Sequence, residues 1–338
     1  MLRNLNMTTA FPVIAGLFLL LFFVYYYVAL RPRRGTLEWI SLEERRSEPV
    51  TFSLRRHPVE GNDVLPILLI TILYAVTAFL NLGDTSGIES FHRFTDEAPS
   101  AMLEFSSPVT LSRVDYYTGI WTGNYHLSVS EDGVVWYEMN ATEYGSAPAM
   151  PQEFSNLLKW RTSTFPETGL NVRYISLTAD RRPMELGEVS FYDAEGYRIP
   201  WYLLSSDNAP ELVDEPELLP ETETCLNSAY FDEIYHVRTA YEHYLGVYPY
   251  EISHPPLGKL IICLGITIFG LNPFGWRFMG TLFGVLMLPV LYCFLKNLFG
   301  KRAVAVCGTL LLAFDFMHFT QSRIATIDTY GVFFILLM

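Results

Sequence analysis

Two adjacent carboxylates, Asp232 and Glu233, open the stretch YFDEIYHVRTAYEHYLGVYPYEISHPPLGKL, residues 230–260. A carboxylate placed against a hydroxyl can take its proton as a general base. Neighbouring residues on a helix point about 100° apart, so these two do not form a matched acid–base pair by themselves. One can face a cleft while the other caps the helix or joins an ion pair. Both can also simply complement the positive end of a helix dipole. Further along stand His254, Lys259, Arg277, Arg323 and Asp328, each at or near an apolar run. Cations at such edges suit anionic groups, or snorkel to lipid headgroups. An acid beside apolar sequence, as Asp328 is, is costly and usually functional. His236, His243 and His254 lack metal-ligand spacing, and no metal is assigned. A divalent cation on Asp232 and Glu233 stays open.

These residues must be positioned by apolar elements. The chain has 338 residues, a net charge of -13 and 50% hydrophobic residues. An acidic soluble protein rarely combines these features, so long uncharged runs matter most. Residues 11–30 and 64–83 each match the ~20 residues that cross a ~30 Å hydrocarbon core. The first is read as a retained helix rather than a signal peptide, because arginines follow it where a small-residue cleavage site belongs. Residues 278–295 and 303–320, the latter interrupted by Asp315 and His318, are further candidate spans, and 324–338 begin another. Seven arginines in 31–62 mark a cytoplasmic loop. Residues 84–256 are then extracytoplasmic, and so are most of the acids. The run 257–271 is short for a span. Lying at the interface, it lets the Lys296–Arg302 loop fall on the cytoplasmic side and returns Arg323 and Asp328 to the side of Asp232. The four cysteines show neither disulfide framework nor metal spacing.

Residues 84–203 read as β. Alternation on both sides of Glu131-Asp132-Gly133 predicts a hairpin, and VRYISLTA and ELGEVSFYDAEG continue the period of two. Short strands without a helical period imply an antiparallel sandwich. Trp121 and Tyr125 are aromatic enough to stack on a sugar, and equally suited to a core. Residues 204–228, acidic and proline-rich, read as a solvated linker.

Two resemblances follow. Ser130-Glu131-Asp132-Gly133 with Trp136, Val172-Arg173-Tyr174-Ile175-Ser176-Leu177 and Glu185-Leu186-Gly187-Glu188-Val189 resemble the discoidin, or factor V/VIII type C, sandwiches. That resemblance implies a glycan or surface ligand at loops that vary, so no binding residue carries over. Asp232-Glu233, His254-Pro255-Pro256-Leu257-Gly258-Lys259, Trp276-Arg277-Phe278 and Ser322-Arg323-Ile324 with Asp328 form a series that resembles the protein O-mannosyltransferases of the GT-C class. The implied fold is a polytopic α-helical membrane protein whose first external loop carries an inserted antiparallel β-sandwich. Residues 1–30 would be an additional transmembrane helix, 31–62 a basic cytoplasmic loop, and 63–83 the family's first span. Residues 229–338 would hold the catalytic loop, the interfacial helix and later spans of a module continuing past residue 338.

The implied reaction moves a sugar, mannose by resemblance, from a polyprenyl-phosphate donor to a Ser/Thr hydroxyl of a protein, with inversion. The resemblance makes Asp232 the base, with Glu233 beside it. Arg277, Arg323 and Lys259 would hold the donor phosphate, as guanidinium suits bidentate contact. His254 and Asp328 would support. The implied partners are the lipid-borne donor, a protein or glycan acceptor and membrane lipid. Two alternatives remain: transfer of another sugar to a lipid or cell-wall glycan, and a membrane-anchored glycan-binding protein. The acidic balance argues against nucleic acid, and the lack of a glycine-rich phosphate loop argues against a nucleotide-sugar donor.

Overall fold

The computed structural model describes residues 57–139, 150–166 and 170–338, together with Leu20. The expected helix at 11–30 and most of the basic loop 31–62 lie outside these residues. The chain divides into two compact units, one of residues 1–81, 280–323 and 328–338, the other of residues 82–279 and 324–327.

The first unit is helical. α1, Gly61–Phe79, has 19 residues and is apolar enough to cross a bilayer. It starts three residues before the apolar run at 64 because Asp63 and Glu60 cap it reciprocally. Ile70, Tyr74 and Ala78, spaced at a helical period, share a core with Val285, Leu288, Tyr292, Ala305, Val306 and Leu310. Asp63 is buried and accepts from Arg302 Nε at 2.6 Å and from the Tyr292 hydroxyl at 3.0 Å. Lys296 Nζ stands 3.5 Å away, so the basic 296–302 turn is ion-paired to the start of α1. The expected span 303–320 is not one straight helix. It forms α5, Arg302–Ala313, and α6, Phe316–Ser322, bent by 59°. The cause is Asp315, whose carboxylate accepts from the backbone N–H groups of Met317 and His318 and so starts a new helix. α7, Asp328–Leu337, follows.

The second unit carries the sandwich. Its strands are β1 (His92–Phe94), β2 (Ser100–Val109), β3 (Arg113–Thr118), β4 (Gly123–Ser130), β5 (Tyr137–Met139), β6 (Met150–Gln152), β7 (Trp160–Thr164), β8 (Val172–Ala179), β9 (Met184–Tyr192) and β10 (Leu204–Ser205). They form two antiparallel sheets, ordered β1-β9-β3-β7 and β10-β2-β8-β4-β5, with β6 also paired to β4. Leu103, Phe105, Val114, Tyr125, Leu127, Ile175, Leu177 and Phe191 alternate inward and share one core. The hairpin lies where alternation predicted it: Leu127 faces Met139 and Val129 faces Tyr137. Gly133 supplies φ +75° in its turn, and Asp132 accepts from the N–H groups of Val134 and Val135.

Residues 204–228 depart from the solvated linker expected of them. Leu204–Ser205 adds to the edge of β2, and Ala209, Leu212 and Pro216 are buried. Acid and proline content hid an apolar set that closes the open edge of the sandwich. Glu215 fastens it by accepting from the N–H groups of Glu89 and Ser90.

Three helical pieces complete this unit. α2, Glu233–Leu245, ends at Gly246 with φ +69°. α3, Leu257–Phe269, has 13 residues, too few to span. α4, Pro273–Phe299, has 27 residues, begins in this unit, continues in the other, and is the second helix apolar enough to cross a bilayer. It starts five residues before the apolar run at 278, which puts Arg277 inside its first turns.

Candidate active site

The two acids of the opening stretch have different surroundings. Phe231 adopts φ +54°, a left-handed conformation costly for a bulky side chain, and it turns the chain into α2 at Asp232. Glu233 is completely buried. Its Oε1 accepts from Arg277 Nε at 2.6 Å and from the Ala325 N–H at 3.0 Å. Its Oε2 accepts from Arg277 Nη2 at 2.6 Å and from the Tyr230 N–H at 2.8 Å. Four donors occupy the two oxygens. Asp232 is half-buried at the N-cap, and among the described residues its carboxylate has no hydrogen-bond or ion-pair partner. Of the adjacent pair, Asp232 is the acid with lone pairs to offer.

Arg277, 3% exposed, is the centre of the clamp. A guanidinium has five N–H donors. Besides the two bonds to Glu233, Nη1 donates to the carbonyls of Leu82 at 3.0 Å and Cys225 at 2.6 Å, and Nη2 to that of Ser228 at 3.2 Å. Arg277 thereby joins Leu82, the strap before α2 and the start of α4. In this arrangement no donor of Arg277 is left for a phosphate, the role that the resemblance implied.

Lys259 is likewise spent. It is 1% exposed, and its ammonium donates to the Glu251 carboxylate, to the Glu251 carbonyl at 2.7 Å and to the His254 carbonyl at 3.4 Å. A buried ammonium must be paired, and this one folds the 251–254 loop onto α3. Burial alone would raise Glu251, but bonds from Lys259, Ser253 and His254 hold it well below the usual carboxylate range. His254 is exposed, with Nδ1 3.1 Å from Glu251. It does not cap α3, whose N-cap is Pro256.

Arg323 and Asp328 belong to the first unit. Arg323 Nη2 donates to the carbonyls of Leu80 and Asn81 at 2.8 Å each, and its guanidinium lies 4.9 Å from the Phe319 ring. Asp328 is exposed in the first turn of α7.

Sequence reasoning missed His236. It follows Asp232 by one helical turn, the spacing that puts two side chains on one face. It is buried, and its Nδ1 has no partner among the described residues. Burial pushes it below the usual imidazole value, against the pull of the Asp232 charge, so it is neutral at pH 7. The Asp–x–x–x–His spacing was the available signal. Glu251 and the Ala325 N–H were also missed; the second is backbone and leaves no trace in residue type. Among the described residues, no group of three His, Cys, Asp or Glu side chains is placed to hold a metal ion.

Two of the described helices are long and apolar enough to cross a membrane, and a half-buried carboxylate stands beside a closed ion pair. The family model for dolichyl-phosphate-mannose-protein mannosyltransferase matches residues 253–338. That span takes in His254, Lys259, Arg277, Arg323 and Asp328, while Asp232 and Glu233 lie before it. The polyprenol-phosphate-mannose–protein mannosyltransferase of Mycobacterium tuberculosis is 36% identical over 84 residues, 25% of this chain and 16% of the relative. That of Corynebacterium glutamicum is 34% identical over 84 residues, with the same shares. An uncharacterized protein of Aquifex aeolicus is 31% identical over 112 residues, 32% of this chain and 22% of the relative. The chain thus spans about a sixth of the length of the named relatives it matches. No solved structure matches it.

Proposed function

We propose that this chain is part of a multi-spanning membrane glycosyltransferase that moves mannose from a polyprenyl-phosphate donor to a Ser/Thr hydroxyl of a protein on the extracytoplasmic face. The observation that carries the reading is the contrast at residues 232–233, a carboxylate without a partner held beside one that is saturated. The acceptor oxygen attacks the anomeric carbon as its proton passes to Asp232. The bond from that carbon to the phosphate oxygen breaks, and polyprenyl phosphate leaves with the electron pair. Attack opposite the leaving group inverts the anomeric centre. Phosphate is a good leaving group, so the mechanism asks for no strong general acid.

Glu233 and Arg277 then act by position. Their clamp fixes the first residues of α2, and with them the direction of Asp232. Lys259 does the same for the loop that carries His254. Arg323 is left as the guanidinium proposed for the donor phosphate, and Asp328 as a supporting acid. The sandwich is proposed to be a discoidin-like insertion in the first external loop.

The test is reconstitution of the full-length protein with polyprenyl-phosphate-mannose and a Ser/Thr-rich peptide, with and without Asp232→Asn. Transfer by the wild type, lowered by about 10²- to 10⁴-fold in the variant, is the expected result. Equal transfer by both would remove Asp232 from the chemistry. An inactive wild type would point to another sugar or acceptor.

A further inference from the structure

A cleft of about 730 Å³ opens where α2 and the loop after it meet the turns at one end of the sandwich. Trp121, Glu153, Phe154, Arg181, Arg238 and Tyr250 are among its lining residues. Arg238 is 5% exposed. Its Nε donates to Glu242 Oε1 at 2.8 Å, and Glu242 Oε2 is occupied by the Tyr250 N–H at 2.6 Å. The guanidinium carbon lies 4.2 Å from the Tyr250 ring and 5.4 Å from that of Phe154. Among the described residues, neither terminal nitrogen of Arg238 has a hydrogen-bond acceptor. Burying a guanidinium with its terminal donors unused is costly, and here they stand at a cleft. Arg181, also among the lining residues, is exposed and has no ion pair or hydrogen bond among the described residues. Arg182 is taken by Asp96 at 3.3 Å. Trp121 is half-buried at the rim, with its backbone at φ +67°.

We propose that this cleft is a recognition subsite for the acceptor polypeptide, and that it takes the carboxylate of an acidic side chain near the modified hydroxyl between Arg238 and Arg181. The proposal rests on the transferase reading above. The donor set is one for a planar, two-oxygen anion, which two guanidinium forks match. Glu153 at the wall weighs against a polyanion, so one carboxylate is the fit. The cleft is far larger than a carboxylate, which leaves room for the chain bearing it. Location supplies the link to the chemistry. Arg238 follows Asp232 by six residues, about 9 Å along the helix axis and about 120° around it. An extended polypeptide at ~3.3 Å per residue covers that path in about four or five residues.

The experiment separates this subsite from the transfer step. Two peptides lacking Ser and Thr, one with a Glu and one with Gln at the same position, are titrated by calorimetry onto the full-length protein in detergent, without donor. The Glu peptide is expected to bind roughly tenfold more tightly, with the preference lost in Arg181→Ala and in Arg238→Lys. Circular dichroism confirms that Arg238→Lys is folded, and Arg181→Ala, being exposed, keeps the test valid if it is not. Equal binding of the two peptides overturns the proposal, as does a preference that survives Arg181→Ala. Binding of a neutral mannose oligosaccharide in place of either peptide also overturns it, and makes the cleft a carbohydrate site. With hydroxyl-bearing peptides the same preference is expected in KM. A protein that discriminates the peptides but transfers no mannose retains the subsite and, as above, points the transferase reading to another sugar or acceptor.

Discussion

The start and the middle of α2 treat a buried guanidinium in opposite ways. At its start, Arg277 meets five acceptors and closes around Glu233. One and a half turns on, Arg238 spends one donor on Glu242 and keeps its terminal nitrogens at an open cleft. The residue types are the same and the burial is similar. What differs is the supply of backbone carbonyls. The straps around Arg277 bring three of them, while Arg238 lies between two aromatic rings that offer only their faces. The first arrangement is a structural clamp, and the second is a site awaiting an acceptor.

The strongest challenge to this contrast is to break the clamp. Arg277→Met strands a fully buried carboxylate, and Glu233→Gln strands a nearly buried guanidinium. Each is expected to cost about 3–5 kcal/mol, seen as a large fall in the thermal unfolding temperature of the detergent-solubilised protein. The double variant should lose less than the sum of the two. Additive losses would mean that the two groups do not act as a pair.

Asp232→Asn is the control on the same turn. With no hydrogen-bond or ion-pair partner among the described residues to lose, the variant's stability should stay within about 0.5 kcal/mol of the wild type, even as transfer falls. A variant that unfolds early would reveal an interaction of Asp232 that stabilises α2, and would weaken its case as the base.

Lys259→Met should fall between these. It removes the bonds that hold the 251–254 loop, but Glu251 is 12% exposed and can turn to water, so the loss is expected at about 1–3 kcal/mol. The sign with pH follows from Glu251. Its folded value is depressed, so its contribution is present above the usual carboxylate value of 4.5 and is lost as pH falls through the lower folded value. The wild-type advantage over Lys259→Met should therefore shrink in acid. A gap unchanged down to pH 3 would disconnect Glu251 from Lys259.

Much of this was legible because period and length are local properties. Alternation placed the hairpin at 125–139, and the 15 residues of the run 257–271 were too few to span. Asp232-Glu233 announced the start of a helix. The clamp was hidden for a physical reason: three of the five acceptors of Arg277 are carbonyls, which every residue has. Arg277 and Lys259 therefore read as free cations beside a membrane. Composition misled at 204–228, where acids and prolines outnumber the few apolar side chains that do the packing. At Asp315 the interruption of the apolar run was visible, but not that its carboxylate caps a new helix there. Trp121 and Tyr125 were alike as sugar-stacking candidates. The structure separates them, with Tyr125 in the core bonded to Gln152 and Trp121 at the cleft.

Glu188, in β9, shows a third fate for a buried charge, which is to give it up. It is 1% exposed, and its side chain accepts the Glu215 N–H at 2.9 Å. No guanidinium closes on it as one does on Glu233. Burial, reinforced by the nearby Asp214 and Glu215 charges and opposed by the Glu215 N–H and Arg198, pushes it up from 4.5 to about 8. The folded protein holds this proton more tightly than the unfolded chain does. Its contribution to stability is therefore complete below pH 4.5 and declines as pH rises from there through about 8. Glu188→Gln keeps the shape and the acceptor but cannot ionise. The variant should match the wild type near pH 5 and unfold at a higher temperature than it near pH 9, by a few degrees. Parallel curves for the two proteins across that range would mean that Glu188 is ionised in the fold and that the sandwich has a counter-charge for it.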